Sequence, residues 1–449
     1  MKTEPRQDTP RTELETVLSR VLPLEILSRW RPRGKCDWTP QALCLTALAW
    51  ALSDEATLGD RFAAAKTWAE NWLGQELPAT IQGFHKALAR YQDLLLILVR
   101  EQLQQSIIDF GGRTFRTAGL APLAVDGTRI DTPRSAANEQ RFRAGIQQRR
   151  GKKRTLKQQI HADVRPQIWL TLVWHTALRL PWSWRLGPYG SSERAHLLDL
   201  LDELPSRTLL IGDAGFTGYD FWQAVRAEQH ELLVRVGRNV KLLSKLACVR
   251  TRGDLVFLWP DQARRRSQPP LVLRQAQLTR KGRTILLVTS LRDEQTLTSS
   301  QLAELYRQRW GIEVFHRSLK QTFGRGKLRS TSPDHAVSEL AWSLVALAGV
   351  QLVAVEVLRD ARRYRQRSST AQALREVRRT FWPDGVAGEL PPLRARLLTA
   401  VHDRYRRGRK TRRRYPQKKR GKPTGIAQIT PATRAQQLAA TPYLVALLA

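Results

Sequence analysis

Between about Thr12 and Phe110 the apolar residues recur every three to four positions, as in LETVLSRVLPLEILSRW and QDLLLILVREQLQQSIIDF. That spacing lays one buried stripe along a helix. Pro and Gly punctuate the runs, so the pattern predicts an all-helical N-terminal region built from several helices. After Gly111 and Gly112 the texture changes to short apolar runs, LAPLAVDGTRI, QIWLTLVWHTAL and RTLLIGDAGF, which read as buried strands. The last leads into the helical GYDFWQAVRAEQ. HELLVRVGRNV, GDLVFLWP, PLVLRQAQL and RTILLVTSLRD follow, separated by polar turns. They predict a β-rich insertion over about Glu231 to Gly282, with the final strand returning to the main sheet. Two long helices are expected next, about Ser299 to Thr322 and Asp334 to Arg365. A less regular segment and a short helical end, TRAQQLAATPYLVALLA, complete the chain, and no internal repeat is visible.

Composition narrows the partners. A chain of 449 residues exceeds one small core and suggests two to four units. Its net charge of +35, from 75 Lys and Arg against 40 Asp and Glu, favours polyanions, because displaced counterions drive their binding. Nucleic acid leads and an anionic membrane surface follows. Arg404 to Lys422 carries 12 basic residues, and leaving them out still gives +23, so the rest of the chain is basic too. Cys36, Cys44 and Cys248 show no CxxC or Cys/His ligand spacing, which argues against a disulfide framework or a zinc site. The polar start, MKTEPRQDTPRTE, lacks the apolar core of a secretory signal, and a reducing, cytoplasmic location is expected. Leu340 to Leu358 is the most apolar run, but Trp342, Ser343, Gln351 and Glu356 interrupt it and Glu339 precedes it. It reads as a buried helix rather than a membrane span.

Three acids stand out. Asp126 follows the apolar LAPLAV run and precedes Gly127, so it is expected where a strand ends, with its carboxylate exposed. Asp213 repeats the arrangement in LLIGDAGF. Strand ends are where α/β sheets bind ligands, although Asp beside Gly is also common in plain turns. In QLAELYRQRWGIEVFHRSLKQ, about 100° per residue puts Tyr306, Arg309, Glu313 and Lys320 within about 60° of one another. Leu305, Ile312 and Leu319 form an apolar stripe beside them that would anchor the helix. The alternative is a solvated face carrying an Arg309 to Glu313 ion pair, worth a few tenths of a kcal/mol.

Taken in order, VDGTRIDTPRSAANEQRF around Asp126, LLIGDAGFTGYDF around Asp213, a β-rich insertion, and Y-x2-R-x3-E-x6-K in YRQRWGIEVFHRSLK resemble the insertion-sequence DDE transposases of the YREK subgroup. The resemblance runs over roughly Pro122 to Gly349. It implies an α/β, ribonuclease-H-like catalytic core interrupted by the β-rich insertion, preceded by an all-helical N-terminal domain and followed by a basic C-terminal region. The expected division is 1–112 for a helical DNA-binding domain, 113–230 and 283–365 for the two parts of the core, 231–282 for the insertion, and 366–449 for the C-terminal region. The resemblance further implies that Asp126, Asp213 and Glu313 are catalytic and hold a pair of Mg²⁺ or Mn²⁺ ions, hard cations that prefer carboxylate oxygen. Tyr306, Arg309 and Lys320 would hold the phosphate backbone near the scissile bond.

The implied activity is cut-and-paste transposition. The partners are double-stranded DNA, as element ends and target, and a second copy of the chain on DNA, with no membrane and no small-molecule substrate. In this subgroup a hairpin intermediate and a base flipped onto an aromatic of the insertion are expected; Trp222 and Trp259 lie in the region without a matching motif. The basic stretches Arg141 to Lys157 and Arg404 to Lys422 are expected to touch DNA, the latter without reading sequence. His161, His175 and His316 lack metal-ligand spacing and read as structural. Two rivals stay open: a structure-selective nuclease on the same fold, and a DNA-binding descendant without catalysis.

Overall fold

A computed structural model describes residues 10–31, 36–142, 165–246, 254–280, 283–363, 367–383, 390–402 and 425–448. Both basic stretches fall mainly outside these residues, as do Cys248 and His161. Five helices come first: α1 (Pro10–Val21), α2 (Leu24–Arg29), α3 (Pro40–Leu52), α4 (Leu58–Leu73) and α5 (Ile81–Gly111). Local chemistry sets their starts, since the Thr39, Thr57 and Thr80 side chains each accept from the backbone N–H three residues on.

The sheet elements begin with β1 (Ala121–Asp131), α6 (Ala136–Phe142), β2 (Gln167–His175), β3 (Leu180–Pro188), α7 (Glu193–Leu198), β4 (Thr208–Gly212), α8 (Tyr219–Ala227) and β5 (Glu231–Arg235). β6 (Lys241–Ser244), β7 (Leu255–Leu258), α9 (Asp261–Arg265), β8 (Leu271–Arg280) and β9 (Arg283–Thr289) follow. The described strands form one mixed sheet in the order β10-β6-β7-β8-β9-β5-β4-β1-β2-β3, where β10 is Gln428–Pro431. β1, β4 and β5 run parallel, while β2 and β3 extend the sheet antiparallel beyond β1. Glu231–Arg235, placed by the sequence pattern at the start of the insertion, pairs in parallel with β4 and so belongs to the central sheet. After Arg235 the chain builds β6, β7 and β8 on the far side of β9, extending the same sheet, and returns to β5 as β9, which pairs with it antiparallel.

The single helix expected over 299–322 is three pieces: α10 (Ser299–Gln308), α11 (Trp310–Arg317) and a π-helical turn, Ser318–Thr322. At the first junction the Ile312 N–H donates to Arg309 O, three residues back. At the second, the Phe323 N–H donates to Ser318 O, five residues back. Leu305, Ile312 and Leu319 are buried, the stripe expected to anchor this region.

α12 (Pro333–Asp360) is apolar all round because it is enclosed: α1, α3 and α5 pack on it from the N-terminal side, β3 from the sheet, and α13 (Thr370–Phe381) and α14 (Leu393–Thr399) from the C-terminal side. It is the one described helix long and apolar enough to cross a membrane, and 83% of its most apolar window is buried inside the protein. The loop before it is clamped. Arg325, buried, donates to Ser343 Oγ and Ala51 O, and the buried Glu339 accepts from the Arg329 and Ser330 backbone. α15 (Arg434–Leu448) ends the described chain.

Candidate active site

β1 reads APLAVDGTRID, and its first five residues are buried while Asp126 and the next three are not. The expected strand end at Asp126 is an end on one side only. β1 pairs with β4 from Ala121 to Ala124 and then parts from it, yet stays paired with β2 as far as Asp131. A cleft opens where β1 and β4 separate, Asp126 lines it with its side chain 20% exposed, and Asp213 enters it immediately after β4. The Asp213 carboxylate accepts the Gly215 N–H at 2.7 Å, which fixes it in the turn.

Glu313 comes from α11, which packs on β1 because Gly311 lets the helix lie against the Trp174 ring of β2. Asp126, Asp213 and Glu313 act on one another: burial first, then the charges of Asp213 and Glu313, outweigh Arg309 and push the Asp126 carboxyl up to about 6. Arg309 is 8% exposed and donates to Glu313 at 3.3 Å. Burial works against its charge, but Tyr306, Asp126, Glu313 and Asp213 outweigh burial and raise its pKa further. The Tyr306 ring lies 5.6 Å from the Arg309 guanidinium. Lys320, carried by the π turn, donates to Thr128 Oγ1 at 2.6 Å. Thr128 and Asp126 share a face of β1, two residues apart, so Lys320 reaches the same strand edge as the acid.

Sequence reasoning missed Glu193, the first residue of α7, whose carboxyl feels Asp126 and Asp213 and is pushed up to about 7, mainly by burial. Nothing in SSERAHLL marks it as more than a helix start. His316, read as structural, has its Nδ1 3.9 Å from Asp126 Oδ2 and is held neutral by burial, its pKa lowered to about 3. Trp222 and Trp259, considered for a flipped base, are buried, and their indole N–H groups donate to Phe216 O and Gln268 O. Trp310, which follows Arg309 in the chain, is 59% exposed. Its position next to Arg309 was the available signal.

Four carboxylates sharing one half-buried cleft are hard oxygen donors that repel one another, and a divalent cation relieves that repulsion. The donor chemistry therefore fits Mg²⁺ or Mn²⁺. Among the described residues no three Asp, Glu, His or Cys side chains stand close enough together to ring an ion.

Residues 118–348 match the family model described as Transposase DDE domain. The chain is 27% identical over 242 residues to "Transposase InsG for insertion sequence element IS4" of Escherichia coli (strain K12), an alignment covering 51% of each. It therefore spans about half the length of that relative. A solved structure, a piggyBac transposase synaptic complex with hairpin DNA, aligns over 90% of this chain and 88% of its own, at 10% identity and a TM-score of 0.38.

Proposed function

The chain belongs to the transposase DDE domain family, and from that premise we propose that it binds the ends of an insertion sequence, cuts them and joins them to target DNA in cut-and-paste transposition. The observation that carries this reading is the cleft itself. Asp126, Asp213 and Glu313, from segments far apart in sequence, share one electrostatic field there beside Arg309 and Lys320. The sheet order β3-β2-β1-β4-β5, two antiparallel pairings followed by two parallel ones, supports a ribonuclease-H-like core. The +35 charge supports DNA as the partner, with the helices before residue 112 and the region after 366 contributing to the grip. Synapsis of two ends calls for a second copy of the chain on DNA.

In this reading Asp126, Asp213 and Glu313 hold the divalent cations. When bound, these lower the pKa of the attacking hydroxyl and neutralise the leaving oxygen. Arg309 presents a planar fork to non-bridging phosphate oxygens from a buried, preorganised position, and Lys320 adds a mobile charge along the same edge. Because Arg309 also contacts Glu313, phosphate binding and ligand placement are coupled. Trp310 offers an exposed aromatic face for a base displaced beside the scissile bond.

The test incubates the protein with its flanking element ends and Mg²⁺ and looks for cut and strand-transferred products. Asp126→Ala, Asp213→Ala and Glu313→Ala are each expected to abolish both products while retaining DNA binding. Cutting without joining would point to a nuclease, and binding without cutting to a descendant that has lost catalysis.

A further inference from the structure

The short helix α7 leaves the end of β3 and is held by two anchors. Arg194 donates to Thr217 O at 2.8 Å, tying the helix to the turn that follows Asp213. His196, buried, shares a 3.0 Å hydrogen bond with Thr171 Oγ1 on β2, and its Nε2 lies over Gly187, 2.6 Å from where a Cβ would stand. Between these anchors Glu193 is turned inward across β1. A Cβ on Gly127 would meet its Oε1 at 2.3 Å and its Cγ and Cδ at 2.7 Å, so the side chain crosses the strand at the residue after Asp126, where only glycine leaves room. Its other oxygen, Oε2, lies 3.7 Å from the point a Gly215 Cβ would occupy, and Asp213 Oδ1 lies 3.0 Å from that same point. Glu193 thus lies against the strand next to Asp126 and close to the turn that carries Asp213.

A glutamate on a short surface helix would ordinarily point to water, and turning it toward two like charges is unfavourable without a cation. Arg129, a cation within its reach, is held between the Trp169 and Tyr189 rings at 4.5 and 4.4 Å.

We propose that Glu193 is a fourth carboxylate of the cation site, sharing with Asp126 and Asp213 the divalent ion they hold; this rests on the reading of those two as metal ligands. Gly127 then has a role of its own. It is the gap through which Glu193 reaches the ion, which explains an Asp-Gly pair in mid-strand where no turn follows.

The experiment measures Mn²⁺ binding to the full-length protein without DNA, by the electron paramagnetic resonance signal of free Mn²⁺, alongside melting in EDTA. Glu193→Gln, nearly isosteric, is expected to lower Mn²⁺ affinity on the order of tenfold or more, with the EDTA melting point unchanged or higher. Gly127→Ala keeps every carboxylate but fills the gap, so it should weaken binding too, and adding it to Glu193→Ala should weaken binding no further. If Glu193→Gln and Gly127→Ala bind Mn²⁺ like the parent while Asp126→Ala does not, Glu193 is no ligand and the reading of Asp126 stands. If Asp126→Ala also binds like the parent, or the parent binds no Mn²⁺, both fall.

Discussion

Gly311 sits between Arg309 and Glu313, and replacing it by alanine sets two effects of known size against each other. In an ordinary helix Gly→Ala stabilises by about 0.8–1 kcal/mol. Here the new Cβ would stand 1.9 Å from Trp174 Cη2 and 2.6 and 2.7 Å from Cζ3 and Cζ2. Carbon atoms pack at about 3.5–4.0 Å, so ring or helix must retreat by roughly 1.6 Å or more. Trp174 is 4% exposed and sits where the β2/β3 register shifts, which leaves its ring little room to turn. Overpacking of this kind costs typically about 1–3 kcal/mol, occasionally more, so Gly311→Ala should cancel the usual gain and be net destabilising by up to about 2 kcal/mol. Arg309 and Glu313 ride on the same turn, and a displacement near 1 Å is expected to slow cleavage on the order of 100-fold. Chemical denaturation of the metal-free protein and single-turnover nicking of element ends measure the two quantities. Trp174→Leu, which removes the ring concerned, should make the added alanine less damaging, a coupling readable in a double-mutant cycle. A Gly311→Ala protein that is about 1 kcal/mol more stable and nicks at the parental rate would refute the close approach and the positioning role drawn from it.

Arg309→Ala and Lys320→Ala should fold, bind element ends nearly as well as the parent and cleave far more slowly; parental cleavage by both would return this face to an ordinary ion-paired surface. Replacing the basic residues of Arg404 to Lys422 by glutamine should flatten the salt dependence of DNA binding by roughly 0.9 in log–log slope for every phosphate left unneutralised; an unaltered slope would mean that the stretch touches no phosphate. His175 is fully buried, shares a 2.9 Å hydrogen bond with Phe115 O, and has its pKa lowered to about 4 by burial. The unfolded chain therefore takes up the extra proton first, so the stability that the neutral ring contributes is present above about pH 6.5 and lost as pH falls toward 4, about 3 kcal/mol at most. His85 and His316 act in the same direction, and Asp126 and Glu193, raised by burial, in the opposite one. The measurement is thus the difference between parent and His175→Gln in urea denaturation from pH 8 to pH 5, and equal acid sensitivity in the two would contradict it.

What could be read along the chain was whatever local periodicity and short motifs encode: helices before residue 112, apolar strands after it, the family, and Asp126, Asp213, Tyr306, Arg309, Glu313 and Lys320 as candidates. Each depends on neighbours a few residues away, where side-chain period and backbone preference act. The tertiary structure decided what depends on contacts across long loops. Asp126 is not at the end of β1 but where β4 parts from it, a fact about a partner strand more than 80 residues on that the VDG motif cannot express. The breaks at Arg309 and Ser318 arise where α11 is pressed on Trp174 and the following loop is clamped to α3 and α12. Helical spacing alone predicts neither. Glu193 was invisible for the same reason. Its significance lies in the absence of a side chain at Gly127, and only folding lays the two together.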